Sequence, residues 1–169
     1  MKIKLALIFI FAVLVLALFT YEQIVPPFSS GDFMPQFSLL DTKGNKINLS
    51  DFRGQPVLIH FWATWCPQCV EEIPLLNNFA ASSSKIKVLA VSEDEAKEAV
   101  AEFFRGLEPS FPVLMDSEGL VADTYKSYKV PETFLLDENG KFLHRFIGAV
   151  SWDNPKVLKK VEELLYLGR

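Results

Sequence analysis

Continuous apolar runs mark the centre of this chain, and a helical pattern lies between them. Val57–Ala63 is almost continuously apolar, which predicts a central strand that is covered on both faces. A helix is expected to begin at Pro67, because proline suits the first helical position, and to run to about Ala81 with a kink at Pro74. The apolar run Ile86–Val91 predicts a second buried strand.

The next part of the chain predicts shorter elements. Ser92 and Glu95 have the spacing of a capping box, and an apolar helical stripe over Ala96–Leu107 follows them. Val113–Met115 predicts a short strand, and Leu120–Tyr128 predicts a short helix.

Two hairpins and a final helix complete the pattern. One hairpin is predicted from Phe37 to Leu49, around a turn at residues 42–45, and another from Glu132 to Phe146, around a turn at residues 138–140. Pro155 begins a final amphipathic helix. Buried strands that alternate with helices, followed by a hairpin and a helix, predict an α/β fold with a mixed sheet and helices on both faces.

The N-terminus has the pattern of a membrane-targeting segment. Leu5–Tyr21 contains seventeen residues without a charge, and Lys2 and Lys4 precede it. A helix of that length spans about 26 Å, near the low end for a bilayer core. We expect an uncleaved anchor because the small-residue cleavage pattern is missing, and a cleaved secretory signal is the alternative. The basic flank places everything after Glu22 on the outer, periplasmic side of a bacterial cytoplasmic membrane.

Length and composition suit one folded domain behind that segment. The chain has 169 residues, half of them apolar, and a formal net charge of −4. We assign residues 1–21 to the anchor, 22–35 to a proline-containing linker and 36–169 to the folded domain. Lysine and arginine form no cluster or stripe in the sequence, so nucleic acid is not expected as a partner.

Both cysteines of the chain lie in one Cys-X-X-Cys motif, Cys66-Pro-Gln-Cys69, at the predicted start of a helix. On a first helical turn this spacing brings the two Cα atoms to about 5–6 Å, the separation of a disulfide. The helix N-terminus stabilises a thiolate, so Cys66 is the predicted nucleophile and Cys69 the resolving thiol. An inert disulfide and half of a metal site are the alternatives. Two cysteines and two distant histidines fit a zinc site poorly, so no metal is expected.

Three segments carry a resemblance to a known family. They are FWATWCPQC at residues 61–69, EIP at residues 72–74, and VPETFLLD at residues 130–137 followed by Asn139-Gly140. Over about residues 33–150 the chain resembles the TlpA/ResA/DsbE family of membrane-tethered thioredoxin-like proteins, which includes thiol reductases of cytochrome c maturation. The resemblance implies a thioredoxin-like α/β fold, with a central mixed sheet flanked by helices and an added N-terminal β-hairpin. It also implies chemistry that needs no cofactor beyond the redox-active disulfide.

The resemblance assigns roles to residues around the motif. Pro131 is expected to be a cis-proline that faces the disulfide, and Val130 to lend backbone groups to the bound substrate cysteine. From the sequence alone, Pro131 could instead be an ordinary proline that opens an edge strand. Trp65 and Pro67 are expected to belong to the substrate-binding surface beside the disulfide.

Two further positions could handle protons. Glu72 matches an acidic residue that the family keeps beneath its active site, where a carboxylate could exchange a proton with Cys69. Without that match it would be equivalent to Glu71, a solvated helix carboxylate. His60 departs from the family, which often has asparagine there. It either tunes the thiols and shuttles protons or, as we favour, is a satisfied strand histidine. His144 is expected to be a half-exposed hairpin residue.

Together these features predict dithiol–disulfide exchange with proteins outside the cytoplasmic membrane. By resemblance, the leading role is reduction of apocytochrome c or another secreted client, with electrons supplied by a membrane partner. The alternatives are an oxidant that makes disulfides, a metallochaperone that binds Cu(I), and a thioredoxin-like binding module with a silent disulfide. Copper-site assembly proteins of similar fold carry Cys-X-X-X-Cys, a spacing that this chain does not have.

Overall fold

The computed structural model describes residues 8–15, 28–83 and 85–168. The strands are β1 (Ser38–Asp41), β2 (Lys46–Asn48), β3 (Val57–Trp62), β4 (Lys87–Ser92), β5 (Val113–Met115), β6 (Glu132–Leu136) and β7 (Phe142–Ile147). They form one seven-stranded sheet with the order β2-β1-β5-β4-β3-β6-β7. β4 runs parallel to both β3 and β5, whereas the pairs β1–β2, β1–β5, β3–β6 and β6–β7 are antiparallel.

The central strand β3 is covered from all sides. All six of its residues are buried, and it is hydrogen-bonded to β4 along one edge and to β6 along the other. Because successive side chains of a strand point to opposite faces, Leu58 and Trp62 belong to one apolar cluster, and Ile59 and Phe61 belong to a second. This double coverage explains why the sequence of β3 is apolar without alternation.

Helices pack against both faces of the sheet. They are α1 (Pro67–Ser82), α2 (Lys97–Phe103), α3 (Leu120–Tyr125) and α4 (Pro155–Leu167), and a short 3-10 helix spans Leu49–Phe52. Residues of α1, α2 and α4 join the cluster around Leu58 and Trp62. Residues of α3 join the opposite cluster around Ile59 and Phe61, together with residues that flank the β1–β2 hairpin.

This architecture confirms the predicted α/β fold, with a mixed sheet between helices. The N-terminal hairpin is present as β1 and β2, and the second predicted hairpin is present as β6 and β7. Pro67 lies in the first turn of α1 as expected, and Pro74 lies inside the same helix, which continues to Ser82.

The predicted capping box at Ser92 and Glu95 is wrong. Ser92 ends β4, its hydroxyl donates to the Asp94 carboxylate at 2.8 Å, and the Asp94 N–H donates back to that hydroxyl at 3.1 Å. This local pairing occupies the Ser92 hydroxyl, which the capping box would have used. The helix α2 begins at Lys97 instead, with Ala96 at its N-cap and no side-chain cap.

Two helices are shorter than their apolar patterns predicted. The helix expected over Ala96–Leu107 ends at Phe103, so the last part of the stripe lies in turn structure. The helix expected over Leu120–Tyr128 ends at Tyr125, because Lys126 adopts a left-handed conformation with a φ of 55° that ends the helical hydrogen bonding.

The predicted membrane anchor lies mostly outside the described residues. Residues 8–15 form a helical stretch whose large apolar side chains are 48–70% exposed. No helix in the described part of the chain combines the length and the apolar character needed to cross a membrane. The anchor, the linker over residues 22–35 and the domain boundary at residue 36 stay predictions.

Candidate active site

The Cys-X-X-Cys motif lies between the end of β3 and the start of α1. Cys66 is the N-cap of α1 in an extended conformation, and Pro67 follows it in the first helical turn. The N–H of Cys69, one of the donors that a helix start leaves unpaired, donates to Cys66 Sγ at 3.2 Å. The two cysteines form a disulfide with a Cα–Cα distance of 5.3 Å, in the range that the spacing predicted.

The two sulfur-bearing residues differ in their access to solvent. Cys66 is 6% exposed and Cys69 is fully buried. A partner protein can therefore reach Cys66 first, while Cys69 stays behind it in the first turn of the helix. Trp65, which is 64% exposed, and Pro67 lie on the surface next to Cys66. Their contact with a substrate stays a prediction.

Pro131 lies beside the disulfide at the start of β6. The Val130–Pro131 peptide bond is cis, and Cys66 Sγ lies 3.7 Å from the carbonyl oxygen of Val130. β6 pairs with β3 and β7, so the proline does not open an edge strand. The cis bond and its place beside Cys66 agree with the resemblance, and the role of Val130 and Pro131 in binding a substrate stays a prediction.

Glu72 is a buried carboxyl on α1, one helical turn beyond Cys69, whereas Glu71 is exposed. Its Oε1 accepts a hydrogen bond from Trp152 Nε1 at 2.6 Å, the backbone N–H of Val150 approaches the carboxyl group, and Oε2 has no hydrogen-bond partner among the described residues. Burial raises the pKa of Glu72 to about 7, and these two donors oppose that rise because they favour the ionised form. A carboxyl with this pKa can bind or release a proton near neutral pH.

His60 is a fully buried residue of β3 next to Glu72. Its Nδ1 lies 2.9 Å from Thr133 Oγ1 and 3.8 Å from Glu72 Oε1. Burial lowers the pKa of His60 to about 3, so the imidazole is neutral at physiological pH. Its Nε2 has no hydrogen-bond partner among the described residues. Nδ1 thus has a partner and Nε2 has none, so the satisfied histidine that we favoured is found only in part, and the ring also lies beside the Glu72 carboxyl. His144 is half-buried on β7, as expected.

Trp152 is the residue of this site that the sequence did not identify. It lies in the loop between β7 and α4, is 1% exposed, and donates a hydrogen bond of 2.6 Å to Glu72. The available signal was a large aromatic residue between two polar residues, Ser151 and Asp153. The partner of such a residue cannot be read from the sequence, because Trp152 and Glu72 are separated by 80 positions.

A second group of charged side chains lies at the same end of the sheet. Glu93 follows β4, Asp116 follows β5, and Glu132 begins the antiparallel β6, so all three lie at the end of the sheet that carries the disulfide. Glu132 is paired with Arg145 of β7. Burial and the charges of Asp116 and Glu132 raise the pKa of Glu93 to about 7. The sequence signal for this group, missed in the prediction, was acidic residues directly after two strands.

The geometry of the site and the fold together define a class of protein. A disulfide at a helix N-terminus, placed directly after the central strand and beside a cis-proline, with only its first cysteine partly exposed, is the arrangement of a thiol–disulfide oxidoreductase of thioredoxin-like fold. In the described part of the chain, no group of three or more His, Cys, Asp and Glu side chains is arranged to hold a metal ion.

Comparisons with known proteins agree with this class. The family model described as the AhpC/TSA family matches residues 30–145. The thiol-disulfide oxidoreductase ResA of Bacillus subtilis (strain 168) is 36% identical over 125 residues, which cover 73% of this chain and 70% of ResA. ResA of Geobacillus kaustophilus is 35% identical over 123 residues, which cover 72% of this chain and 71% of that protein. The chain belongs to the thioredoxin-like AhpC/TSA family and is a thiol–disulfide oxidoreductase.

Solved structures show the same relationship. A thiol:disulfide interchange protein DsbE from Chlorobium tepidum superposes with a TM-score of 0.72 at 29% identity, covering 83% of this chain and 98% of that chain. StoA from Bacillus subtilis superposes with a TM-score of 0.64 at 27% identity, covering 76% of this chain and 96% of that chain. The resemblance to ResA and DsbE that the motifs indicated is therefore confirmed.

Proposed function

We propose that this oxidoreductase reduces disulfides of client proteins on the outer side of the bacterial cytoplasmic membrane, with apocytochrome c as the leading client. The observation that carries the proposal is the buried carboxyl of Glu72, one turn beyond Cys69, beneath a disulfide whose intervening residues are uncharged. The carboxyl of such a site can accept and return the proton of the buried Cys69 thiol. The site lacks the strong stabilisation of the Cys66 thiolate that characterises disulfide-forming oxidants.

The first step joins the enzyme to its client. In the reduced protein the Cys66 thiolate attacks a client disulfide, a mixed disulfide forms, and the second client sulfur leaves as a thiolate. The N–H of Cys69, which lies 3.2 Å from Cys66 Sγ, stabilises the thiolate before the attack. The carbonyl of Val130, 3.7 Å from the same sulfur, is available to accept a hydrogen bond from the backbone of the client cysteine.

The second step releases the client. Glu72 takes the proton of the Cys69 thiol, and the Cys69 thiolate attacks Cys66 Sγ. The bond between Cys66 and the client breaks, and the client sulfur leaves as a thiolate that takes a proton from water. Two electrons have then passed from the dithiol to the client, and the Cys66–Cys69 disulfide remains. A pKa of about 7 suits Glu72 to this step, because about half of the carboxyl groups are ionised near neutral pH.

The N-terminal segment anchors the catalytic domain as a single span in the cytoplasmic membrane, with the domain on the periplasmic side. The exposed apolar side chains of residues 8–15 support contact with lipid, and Lys2 and Lys4 support an N-terminus that stays in the cytoplasm. A membrane partner that carries electrons across the bilayer returns the Cys66–Cys69 disulfide to the dithiol.

Trapping of the mixed disulfide tests this function. Reduced Cys69→Ala protein, mixed with oxidised apocytochrome c, should accumulate a complex joined by a disulfide at Cys66, because the resolving thiol is missing. Dithiothreitol should reduce this disulfide and separate the two proteins. The matched control is Cys66→Ala, which keeps one cysteine of the motif but should form no complex with the client.

The outcomes separate the activity from the client. A complex of Cys69→Ala with oxidised insulin but not with apocytochrome c would remove apocytochrome c as client and leave disulfide reduction standing. A complex with neither protein, or a complex that forms through Cys69 in the Cys66→Ala protein, would contradict the proposed steps.

A further inference from the structure

Trp152 joins the loop before α4 to the interior of the active site. The residues on either side of it, Ser151 and Asp153, are exposed, but the indole is buried and its Nε1–H donates to Glu72 Oε1 at 2.6 Å. Its ring packs against Phe79 of α1 with centroids 5.5 Å apart and against Phe146 of β7 with centroids 5.6 Å apart. Two aromatic contacts from different elements fix the plane of the indole, so the direction of its N–H is fixed as well.

Burial of a tryptophan does not by itself account for this hydrogen bond. Trp62 is as buried as Trp152 and belongs to the same apolar cluster, where it packs against Phe103 and Phe104. Its Nε1 nevertheless has no hydrogen-bond partner among the described residues. The two side chains therefore differ in one respect that matters here, namely that only the indole of Trp152 is directed at a titratable group.

The surroundings of Glu72 leave Trp152 as its main side-chain donor. From β3, His60 faces the carboxyl with Nδ1 at 3.8 Å, a distance beyond a hydrogen bond, and that nitrogen is already paired with Thr133. From the loop after β7 comes the backbone N–H of Val150. The residues of α4 that pack on this side are apolar. On α1 the other ionisable groups are Cys69, one turn earlier, and the exposed Glu71, and Cys66 is the N-cap of the helix.

We propose that Trp152 is a positioning residue of the exchange reaction, whose indole N–H holds the Glu72 carboxylate beneath the disulfide, ready to receive the proton of Cys69. The inference rests on the proposed role of Glu72 in that proton transfer. An indole N–H only donates, so it stabilises the ionised carboxylate more than the neutral acid at every pH. In the transfer, the Cys69 sulfur loses its proton to Glu72, then bonds to Cys66 Sγ as the client thiolate leaves.

Nuclear magnetic resonance on the unaltered oxidised protein provides the first test. The indole proton of Trp152 should shift as Glu72 is protonated, with the same midpoint pH as the 13C resonance of the Glu72 carboxyl carbon, because protonation weakens the shared hydrogen bond. The indole proton of Trp62 should not follow that midpoint. A Trp152 resonance that stays constant through the Glu72 titration would overturn the proposal without any variant.

The Trp152→Phe variant provides the second test. Phenylalanine keeps an aromatic ring between Phe79 and Phe146 but has no donor, so the Glu72 titration should move up by about one pH unit. The pH profile of client release in single turnover should move in the same direction. Trp62→Phe, the matched change at an indole without a partner, should leave the Glu72 titration in place.

The results also distinguish this inference from the proposed proton transfer. An unchanged Glu72 titration in Trp152→Phe overturns the positioning role. If the Glu72 titration moves but the pH profile of client release does not, and Glu72→Gln releases its client at the normal rate, the hydrogen bond stands while the proton-transfer role of Glu72 and Trp152 is overturned.

Discussion

Two carboxyl groups at the disulfide end of the sheet have pKa values raised to about 7, and they reach that value in different ways. Burial alone raises the pKa of Glu72, and the N–H groups of Trp152 and Val150 lower it in part. Burial and the negative charges of Asp116 and Glu132 together raise the pKa of Glu93. One carboxyl lies among hydrogen-bond donors and a neutral histidine, and the other lies among acids.

This difference determines what each carboxyl can do. A pKa set by burial and short hydrogen bonds depends on a few atoms in contact, so it responds to those atoms and little to the ionic strength. A pKa set by neighbouring charges responds to salt and to any change of those charges. Glu72 also follows Cys69 by one turn of α1, whereas Glu93 follows β4 and is half-buried. We therefore assign the proton transfer to Glu72 and not to Glu93.

The largest expected effect is on the rate of client release. Glu72→Gln should slow the release of a client from the mixed disulfide by about tenfold to a hundredfold at neutral pH, because an amide cannot take the Cys69 proton. Glu71→Gln and Glu93→Gln are the matched controls, and each should change the rate by less than about twofold. Single-turnover kinetics with a fluorescent disulfide client measure all three. Equal losses in Glu72→Gln and Glu93→Gln would remove the distinction between the two carboxyls.

The next effect is on stability. The pKa of Glu72 is about 7 in the folded protein against an ordinary value of 4.5, so folding is favoured while the group is protonated and loses that contribution as the pH rises from 4.5 through 7. The Glu72→Gln variant keeps its stability over this pH range, because a glutamine side chain does not titrate. Relative to the unaltered protein, the variant should gain about 3 kcal/mol of unfolding free energy between pH 4.5 and pH 7. Urea unfolding of both oxidised proteins measures the difference, and a constant offset across this range would contradict the buried, protonated state of Glu72.

The smallest effect concerns the other carboxyl. Glu132→Gln removes a negative charge near Glu93 and leaves the positive Arg145 nearby, so the pKa of Glu93 should fall by about one pH unit. Molar salt should lower the pKa of Glu93 in the same direction, because the Debye length falls to about 3 Å. Carboxyl 13C titration resolves both groups in one experiment. A comparable movement of Glu72 under either change would show that the two sites are coupled.

The fold was predictable because its signals are local. The apolar run of β3, the proline at the start of α1 and the turn residues of both hairpins each determine a short segment, and the order of segments limits the topology. The errors also arose locally. Ser92 pairs with Asp94 instead of capping a helix, and the left-handed conformation of Lys126 ends α3 inside an apolar stripe.

Only those site residues that lie in recognisable motifs could be predicted from the sequence. Cys66, Cys69 and Glu72 share one helix, and the cis-proline beside them followed from the family resemblance. The donors that lower the pKa of Glu72 come from the loop after β7, about 80 positions along the chain. Neither spacing nor composition indicates such contacts, because the packing of several elements creates them.

The reduced Cys66/Cys69 dithiol is expected to act as a reductant of client disulfides, and the reduction potential of the pair tests this role most directly. Pro67 and Gln68 bring no positive charge between the cysteines, and the nearby Glu71 and Glu72 disfavour a thiolate at Cys66. The reduced form is therefore less stabilised than in an oxidant such as DsbA at about −120 mV, and we expect a value nearer thioredoxin at about −270 mV. Equilibration of the domain with glutathione or dithiothreitol buffers should give roughly −200 to −280 mV. A potential above about −150 mV would contradict the reductase and favour an enzyme that makes disulfides.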